Sequence, residues 1–481
     1  MQGPCVSVRD PIAKYGVLRH LPQSCSQEAI SVRLAEGCSL CDQGDYEAAE
    51  TFFRAIVQQI PDSAAGHNNL GWALQQLGRN EDAISSYKVA ISLQPTFNLA
   101  RANLAFLLAT LYGYIGQHDS ARAMWRMLEE LYPRDPEILD NLVSTSLRAH
   151  DLVDAGVWAA HYATATRGVE RTLSQPDTSQ RSDVPPRASR AKLAHDLEQL
   201  RYLRDHGLIG PQLVAEIGAY EAVLQRYDQA DNSLRPPVVD APLPASYGRN
   251  VHQLNAPRLP EGALNLSPAL LQAERDYQES PLGLVVIDDF LSVDALALLQ
   301  AFCLQSTIWH TDRYAHGRLG AFFRDGFNCP LLLQVAEEIR RFFPELIGVH
   351  HPLLQMWGFK YQHDQPATNP HADFAAVNVN FWITPDEANL DHDSGGLVIY
   401  DVQAPPDWDF ETYNRHGDRI VAFLEESGAR PAFIPYRCNR AIIFNSDLFH
   451  ATAPLAFRTG YVNQRVNVTL LYGERDRSLG H

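Results

Sequence analysis

Two spacings of apolar residues divide the 481-residue chain. In the first third, small and bulky apolar residues recur in helical register. Gly37, Leu40, Gly44, Ala49 and Phe53 lead up to Pro61, and Leu70, Gly71, Leu74, Gly78, Ala83, Tyr87 and Ala90 lead up to Pro95. Residues three and four apart share a helix face, so this pattern predicts paired helices with small residues where they touch. From residue 282 the period shortens. Runs at 284–287, 353–359, 376–384, 397–400, 440–444 and 466–472 are rich in β-branched and aromatic residues and are separated by turns of Gly, Pro, Asp and Asn. They predict an antiparallel strand domain, with helices at 293–305, 331–343 and, in an insertion, 418–426. Between the halves, Leu193, Leu197, Leu200 and Leu203, then Leu213, Ile217, Tyr220 and Leu224, predict two more helices. A polar stretch holding Pro185 and Pro186 reads as a linker, and 236–260 as an extended proline-rich segment.

The prolines that end successive helical segments, Pro61, Pro95 and Pro133, are 34 and 38 residues apart. That period is similar to the tetratricopeptide repeat. The third copy keeps Leu104, Ala105, Gly116, Ala121 and Trp125 but holds four extra residues around Leu107 to Tyr114, which predicts a bulge or a lengthened helix. A weaker fourth copy runs from Asn141 through Ala155 and Tyr162, as expected of a capping repeat. Such an array is either a scaffold, stabilising the protein or assembling a homo-oligomer, or a groove for an extended peptide. In the second case Asn68, Asn69, Asn103 and Asn141 on the inner helices are candidates to hydrogen-bond the peptide backbone.

Composition narrows the function. Forty Lys and Arg against 57 Asp and Glu give a net charge of −17, which disfavours a nucleic-acid partner. No apolar run approaches the roughly 20 residues that span a bilayer, and Arg9, Asp10, Lys14 and Arg19 break up any signal-peptide core, so a soluble cytoplasmic protein without a membrane partner is expected. The seven scattered cysteines suit reduced thiols. Cys38 and Cys41 form a CxxC inside a helical repeat, where helix packing is the expected role rather than zinc binding.

Candidate chemistry lies in the strand half. Three His-x-Asp triplets occur, at His310/Asp312, His371/Asp373 and His416/Asp418, and their surroundings differ. His371 and Asp373 precede the alternating run Val377-Asn-Val-Asn-Phe-Trp-Ile-Thr384 and a Gly-Gly turn at 395–396, and a later segment, Asn439-Arg-Ala-Ile-Ile-Phe-Asn-Ser-Asp-Leu-Phe-His450, ends in a second histidine. His310 sits early, beside a helix, and His416 in a polar insertion. The order of the His371 set resembles the iron(II)- and 2-oxoglutarate-dependent dioxygenases. The opening Val285-Val-Ile-Asp-Asp-Phe-Leu-Ser292 is similar to the start of the prolyl-hydroxylase-like members.

The resemblance implies a multidomain fold, an all-α tetratricopeptide solenoid followed by a double-stranded β-helix, or jelly roll, with flanking helices. The expected boundaries are 30–165 for the repeats, 166–190 for the linker, 191–265 for a helical and proline-rich connector, and 280–475 for the oxygenase domain. It implies Fe(II) held by His371, Asp373 and His450, three positions being left for the co-substrate and O2. It also implies a basic residue on the last core strand that pairs with the far carboxylate of 2-oxoglutarate. Arg465 suits this by strand alternation, sharing a face with Asn467 and Thr469, and Arg458 competes. Tyr361 and Asn380 are further candidates for the co-substrate, although Tyr361 and Trp382 fit ordinary core positions equally. His392, between Asp391 and Asp393, reads as a solvated turn, and the insertion between 401 and 438 as a carrier of substrate specificity.

By similarity to the collagen prolyl hydroxylases and the aspartyl/asparaginyl hydroxylase, which join helical repeats to an oxygenase, a peptide or protein substrate is implied. Two features depart from those enzymes: the chain ends in Ser-Leu-Gly-His, without an endoplasmic-reticulum retention sequence, and the aspartyl hydroxylase lacks a counterpart of Asp373. An oxygenase acting on a small metabolite and a non-catalytic binding module remain the alternatives.

Overall fold

A computed structural model describes residues 27–168, 189–229, 242–312 and 317–475, with the side chains of 27–31 left out. Most of the expected linker, the first part of the proline-rich segment, the charged N-terminal residues from Arg9 to Arg19 and the terminal Ser-Leu-Gly-His lie outside the described residues. The chain forms two compact units, Met1–Ala149 and His150–His481.

The described part of the first unit is helical: α1 (Gln27–Asp42), α2 (Tyr46–Gln59), α3 (Ala64–Gln76), α4 (Asn80–Leu93), α5 (Asn98–Tyr114), α6 (His118–Leu131) and α7 (Pro136–Arg148). Each helix packs on the next in antiparallel pairs. Within each of the first three pairs the turn holds a glycine at positive φ, Gly44 (78°), Gly78 (73°) and Gly116 (75°), a conformation that costs other L-residues energy. Side-chain caps start several helices, Asp45 accepting from the Ala48 amide, Ser63 from Gly66 and Asp135 from Glu137. Close helix contact explains the small residues: a Cβ on Gly37 would come within 2.5 Å of the Phe53 ring, and one on Gly71 within 2.8 Å of the Tyr87 ring. The four extra residues of the third copy lengthen a helix, α5 having 17 residues against 13 in α3. Cys38 and Cys41 are buried in the core with Leu34, Phe53 and Leu70.

The asparagines of the inner helices behave differently from a peptide-binding row. Asn68, Asn69 and Asn103 are buried. Asn103 donates to Asn68 at 3.0 Å and Asn68 to Asn69 at 3.1 Å, so these amides satisfy one another between successive repeats. Asn141 donates to the Glu137 carbonyl one turn back.

The second unit opens with α8 (Leu152–Arg167), the second helix of the weak fourth copy. It packs on a 3-10 turn at Phe323–Asp325, where Arg167 meets Asp325 at 3.3 Å. The two units divide at Ala149/His150, and the described parts of the 191–265 connector lie in the second unit. Next come α9 (Arg190–Asp205), α10 (Pro211–Gln229), α11 (Pro268–Glu279), β1 (Leu284–Ile287), α12 (Val293–Gln305), β2 (Leu319–Phe322) and α13 (Pro330–Phe342). The remainder is mostly strand: β3 (Leu353–Tyr361), β4 (Asp364–Gln365), β5 (Ala375–Trp382), β6 (Leu397–Gln403), then α14 (Phe410–Arg415) and α15 (Gly417–Glu426), then β7 (Pro431–Ile434), β8 (Ala441–Asn445), β9 (Leu448–Thr452), β10 (Leu455–Ala456) and β11 (Arg465–Glu474). A six-stranded sheet has the order β1-β8-β5-β11-β3-β2, a three-stranded sheet the order β7-β6-β9, and β4 pairs with β10. All these pairings are antiparallel.

Strand alternation sends neighbouring residues of β3 to opposite faces. Tyr361 points to the face that carries the candidate site. Lys360 points the other way and is buried against α9, where its ammonium lies 3.3 Å from His195 Nε2, 3.1 Å from the Tyr461 hydroxyl and 3.2 Å from the Cys303 carbonyl. His195 in turn meets Asp196, and Asp196 pairs with Lys192 at 2.7 Å. Burial pushes Lys360 down to about 7. The connector helix α9 therefore covers the back of the strand that bears Tyr361.

Candidate metal and co-substrate centre

The two sheets meet at His371. Its backbone forms an isolated antiparallel bridge with His450 of β9, the two amides donating to the opposite carbonyls at 3.0 and 2.9 Å. Asp373 follows two residues later at the entry to β5, its amide bonded to the Ser446 carbonyl at 3.1 Å. This pairing brings one ligand atom of each of His371, Asp373 and His450 to within 4.8 Å of the others, and no other such group of three or more His, Cys, Asp or Glu occurs among the described residues. His450 Nε2 lies 3.5 Å from Asp373 Oδ2, and the two imidazole centroids are 4.6 Å apart.

The supporting contacts orient all three. His371 Nδ1 is 3.2 Å from the Asn369 carbonyl and His450 Nδ1 is 3.0 Å from the Leu448 carbonyl, so each ring donates through Nδ1 and turns Nε2 inward as a lone-pair donor. Asn378 donates to Asp373 Oδ2 at 2.7 Å. Burial, and then His450, push His371 down to about 4, which keeps the imidazole neutral at physiological pH. Burial pulls Asp373 upward, yet His450, His371 and the Asn378 amide outweigh it and hold the carboxyl below its ordinary value. Two imidazoles and one carboxylate form a donor set that fits a divalent first-row metal.

A basic end lies on the same face. Arg465, the first residue of β11, pairs in register with Tyr361 of β3 and is fully buried. Its Nε donates to the Gly395 carbonyl at 2.7 Å, and its guanidinium sits 4.8 Å from the Tyr361 ring centroid and 5.4 Å from that of Trp382. Neither terminal nitrogen of Arg465 has a hydrogen-bond acceptor among the described residues, and the buried indole N–H of Trp382 has none either. The competing Arg458 is exposed. The Tyr361 hydroxyl lies 3.3 Å from Thr452 Oγ1 and accepts from Arg318 at 3.3 Å. Burial alone would raise the Tyr361 phenol, but Arg318 and Arg465 bring it below its ordinary value.

Asn380 stands one step back from this pocket. It donates to Asn378, and its carbonyl accepts from Asn467 at 2.9 Å and from Thr469 at 2.7 Å. The chain of amides ends on Asp373, so Asn380 steadies that carboxylate through Asn378. His310 is buried beside Asn250, while His392 and His416 are exposed. Sequence reasoning missed Arg318 and Thr452. Arg318 precedes the short edge strand β2, whose Leu-Gly-Ala-Phe carries little alternation, whereas Thr452 shares the His450 face of β9 and was open to the period-two argument.

Residues 34–96 match the family model of the tetratricopeptide repeat. The chain carries tetratricopeptide repeats. A 74-residue stretch is 39% identical to the peroxisomal targeting signal receptor of Eremothecium gossypii, covering 15% of this chain and 13% of that receptor. This chain thus spans about an eighth of the receptor's length. Among solved structures, MamA from Desulfovibrio magneticus RS-1 is 11% identical with a TM-score of 0.25 over 42% of this chain and 96% of its own. The non-heme alpha-ketoglutarate-dependent carbocyclase SnoK from nogalamycin biosynthesis is 15% identical with a TM-score of 0.32, over 44% of this chain and 86% of its own. The corresponding epimerase SnoN is 13% identical with a TM-score of 0.31, over 44% and 87%. At this level of likeness none of the three assigns an activity. No helix of the described residues is long and apolar enough to cross a membrane.

Proposed function

We propose that this protein is an iron(II)- and 2-oxoglutarate-dependent oxygenase that hydroxylates a side chain of a peptide or protein substrate bound by its repeats. The observation that carries the reading is Arg465. Its two terminal nitrogens are buried without acceptors on the face that holds the His371, Asp373 and His450 donors. A buried charge left without a partner costs on the order of several kcal/mol, so a carboxylate ligand at this position is strongly favoured. The far carboxylate of 2-oxoglutarate fits a planar guanidinium in a way that a single metal-bound water does not.

In this reading β8-β5-β11-β3 and β7-β6-β9 are the two faces of a double-stranded β-helix, an assignment that the strand order supports. His371 and His450 would hold the metal through Nε2, kept in place by the Asn369 and Leu448 carbonyls, with Asp373 as the third ligand, its Oδ2 fixed by Asn378. Iron(II) bound there would supply the reaction of O2 with 2-oxoglutarate, which gives succinate and carbon dioxide, one oxygen atom of O2 entering succinate and the other the hydroxylated substrate. Arg465, with the neighbouring Trp382 N–H and Tyr361, orients the co-substrate, and the apolar wall of Phe359 and Trp382 keeps bulk water out. The peptide class rests on the repeats, which are protein-interaction modules in general. Because Asn68, Asn69 and Asn103 bond one another, the contacts to a peptide fall to other residues of the array.

The test is conversion of 2-oxoglutarate to succinate by the full chain loaded with iron(II), without substrate, beside His450→Ala. Slow uncoupled turnover in the native protein that disappears in the variant is expected. A native protein that binds neither iron(II) nor 2-oxoglutarate refutes the reading. Peptide pools and small acids then serve as competing substrate panels, and stimulation by small acids alone refutes the peptide class.

A further inference from the structure

The insertion between β6 and β7 lies against the metal donors from behind. Ala372, the residue between His371 and Asp373, is fully buried, and both of its backbone polar groups are bonded to this insertion. Its amide donates to the Tyr413 carbonyl at 3.0 Å, and its carbonyl accepts from Asn414 Nδ2 at 2.8 Å. The packing repeats the pattern. Ala372 and Phe449, which immediately precedes His450, belong to one apolar cluster with Ala404, Tyr413, Ile420 and Leu424. Trp408 and Phe423 pack against Phe449 at steep interplanar angles, with ring centroids 6.2 and 6.0 Å away.

Two further contacts close the arrangement. A Cβ on Gly417, the first residue of α15, would come within 2.9 Å of Asn369 Nδ2, and the carbonyl of Asn369 is the one that orients His371. Arg475, just after β11, pairs with Asp447 at 2.6 Å, lies 4.5 Å from the Tyr413 ring centroid and donates to the Ala404 carbonyl. The insertion therefore holds the segment of each of the three donors without contributing a donor itself.

We propose that Asn414 is a positioning residue of the metal centre and that the 404–426 insertion is a clamp that sets metal affinity, a role different from selecting substrates. This rests on the metal-site reading above. The 371–373 segment is short and irregular, and a tripeptide holding two ligands has to keep both backbone and side-chain angles to present them together. Fixing Ala372 at both ends of its peptide groups removes that freedom. Outer contacts of this kind commonly change metal affinity by about 10- to 100-fold.

The experiment uses the full chain, freed of metal and titrated anaerobically with Co(II), whose visible absorption reports affinity and ligand geometry without any turnover. Asn414→Asp keeps the size but turns an oxygen towards the Ala372 carbonyl, and Asn414→Ala removes the bond. Both are expected to bind Co(II) about tenfold more weakly with an altered absorption band, while metal-free thermal stability changes little. Glu411→Ala, which breaks only the exposed Arg415–Glu411 pair on the same helix, is expected to bind as the native protein does. Native-like affinity and spectrum in either folded Asn414 variant overturn the clamp. If the native protein takes up no Co(II), the metal-site reading falls first and the clamp with it.

Discussion

Arg465 is the residue on which the proposed chemistry turns, because its neighbours leave it incomplete. A guanidinium has five N–H donors, and here the Nε donor alone is used, on the Gly395 carbonyl. Lysine in its place would keep the charge but lose the two-pronged geometry that matches a carboxylate. Arg465→Lys is therefore expected to raise the 2-oxoglutarate concentration needed for half-maximal succinate formation by roughly ten- to a hundredfold, the worth of one charge-assisted hydrogen bond. An unchanged requirement would move the carboxylate partner elsewhere, Arg318 being the nearest guanidinium to the Tyr361 phenol. At this scale the sequence went far. Strand alternation and family resemblance led to the expectation of His371, Asp373, His450 and Arg465 as a set, and the fold brings one ligand atom of each of the first three within 4.8 Å of the others. What alternation did not reveal was that Asn380 would spend its amide on Asn378, Asn467 and Thr469.

Among the elements, the repeat helices owe their spacing to residues that lack a side chain. Gly71 lets the Tyr87 ring lie against the α3 backbone, and a Cβ there would stand only 2.8 Å from that ring. Overpacking of this size costs about 1–3 kcal/mol, against less than about 1 kcal/mol gained by removing a helical glycine. Gly71→Val should thus lower the stability of the repeat unit, read as a lower midpoint in urea followed by circular dichroism at 222 nm, and an unchanged midpoint would refute the close contact. Element types were largely predictable here. The helix at 293–305 agrees with α12 to the residue, and the extra residues of the third copy emerge as one lengthened helix. Short strands such as β2, β4 and β10 were not predicted, since two to four residues hold too little periodicity to register.

For the molecule as a whole, buried neutral histidines govern the response to acid. Burial pushes His195 and His371 down to about 4 and His310 well below its ordinary value, and all three lie in the second unit. Their unfolded forms titrate near 6.5, so below that pH the unfolded chain binds more protons than the folded one and stability falls as pH falls. His195 alone is worth about 3 kcal/mol once the pH has passed below its folded value. Asp196 and Asp373, whose pKa values are lowered, add stability that is lost only below their unfolded value near 3.8. The melting temperature of the metal-free second unit should already fall between pH 8 and 7, where unfolded Lys360 holds a proton that the folded chain takes up only near 7, and go on falling towards pH 4 as the histidines titrate. A flat profile across that range would show that these rings are protonated in the folded protein.

The sequence by itself determined the kinds of element, the repeat period, the split into a helical and a strand-rich half and the order of the candidate ligands. Those properties are local: a period of 3.6 or 2 and a turn glycine are written within a few residues. The tertiary structure alone decided which polar groups pair. It buried Arg465 and left Arg458 exposed, turned the inner asparagines of the repeats towards one another, and assigned α8 to the second unit. It also drew the insertion around Ala372 as a brace for the donors. These outcomes depend on partners far along the chain, from 35 residues for Asn103 and Asn68 to 158 for Arg167 of α8 and Asp325. A linear pattern records which face of an element is apolar, but the free energy of a buried polar group is set by what the fold places opposite it.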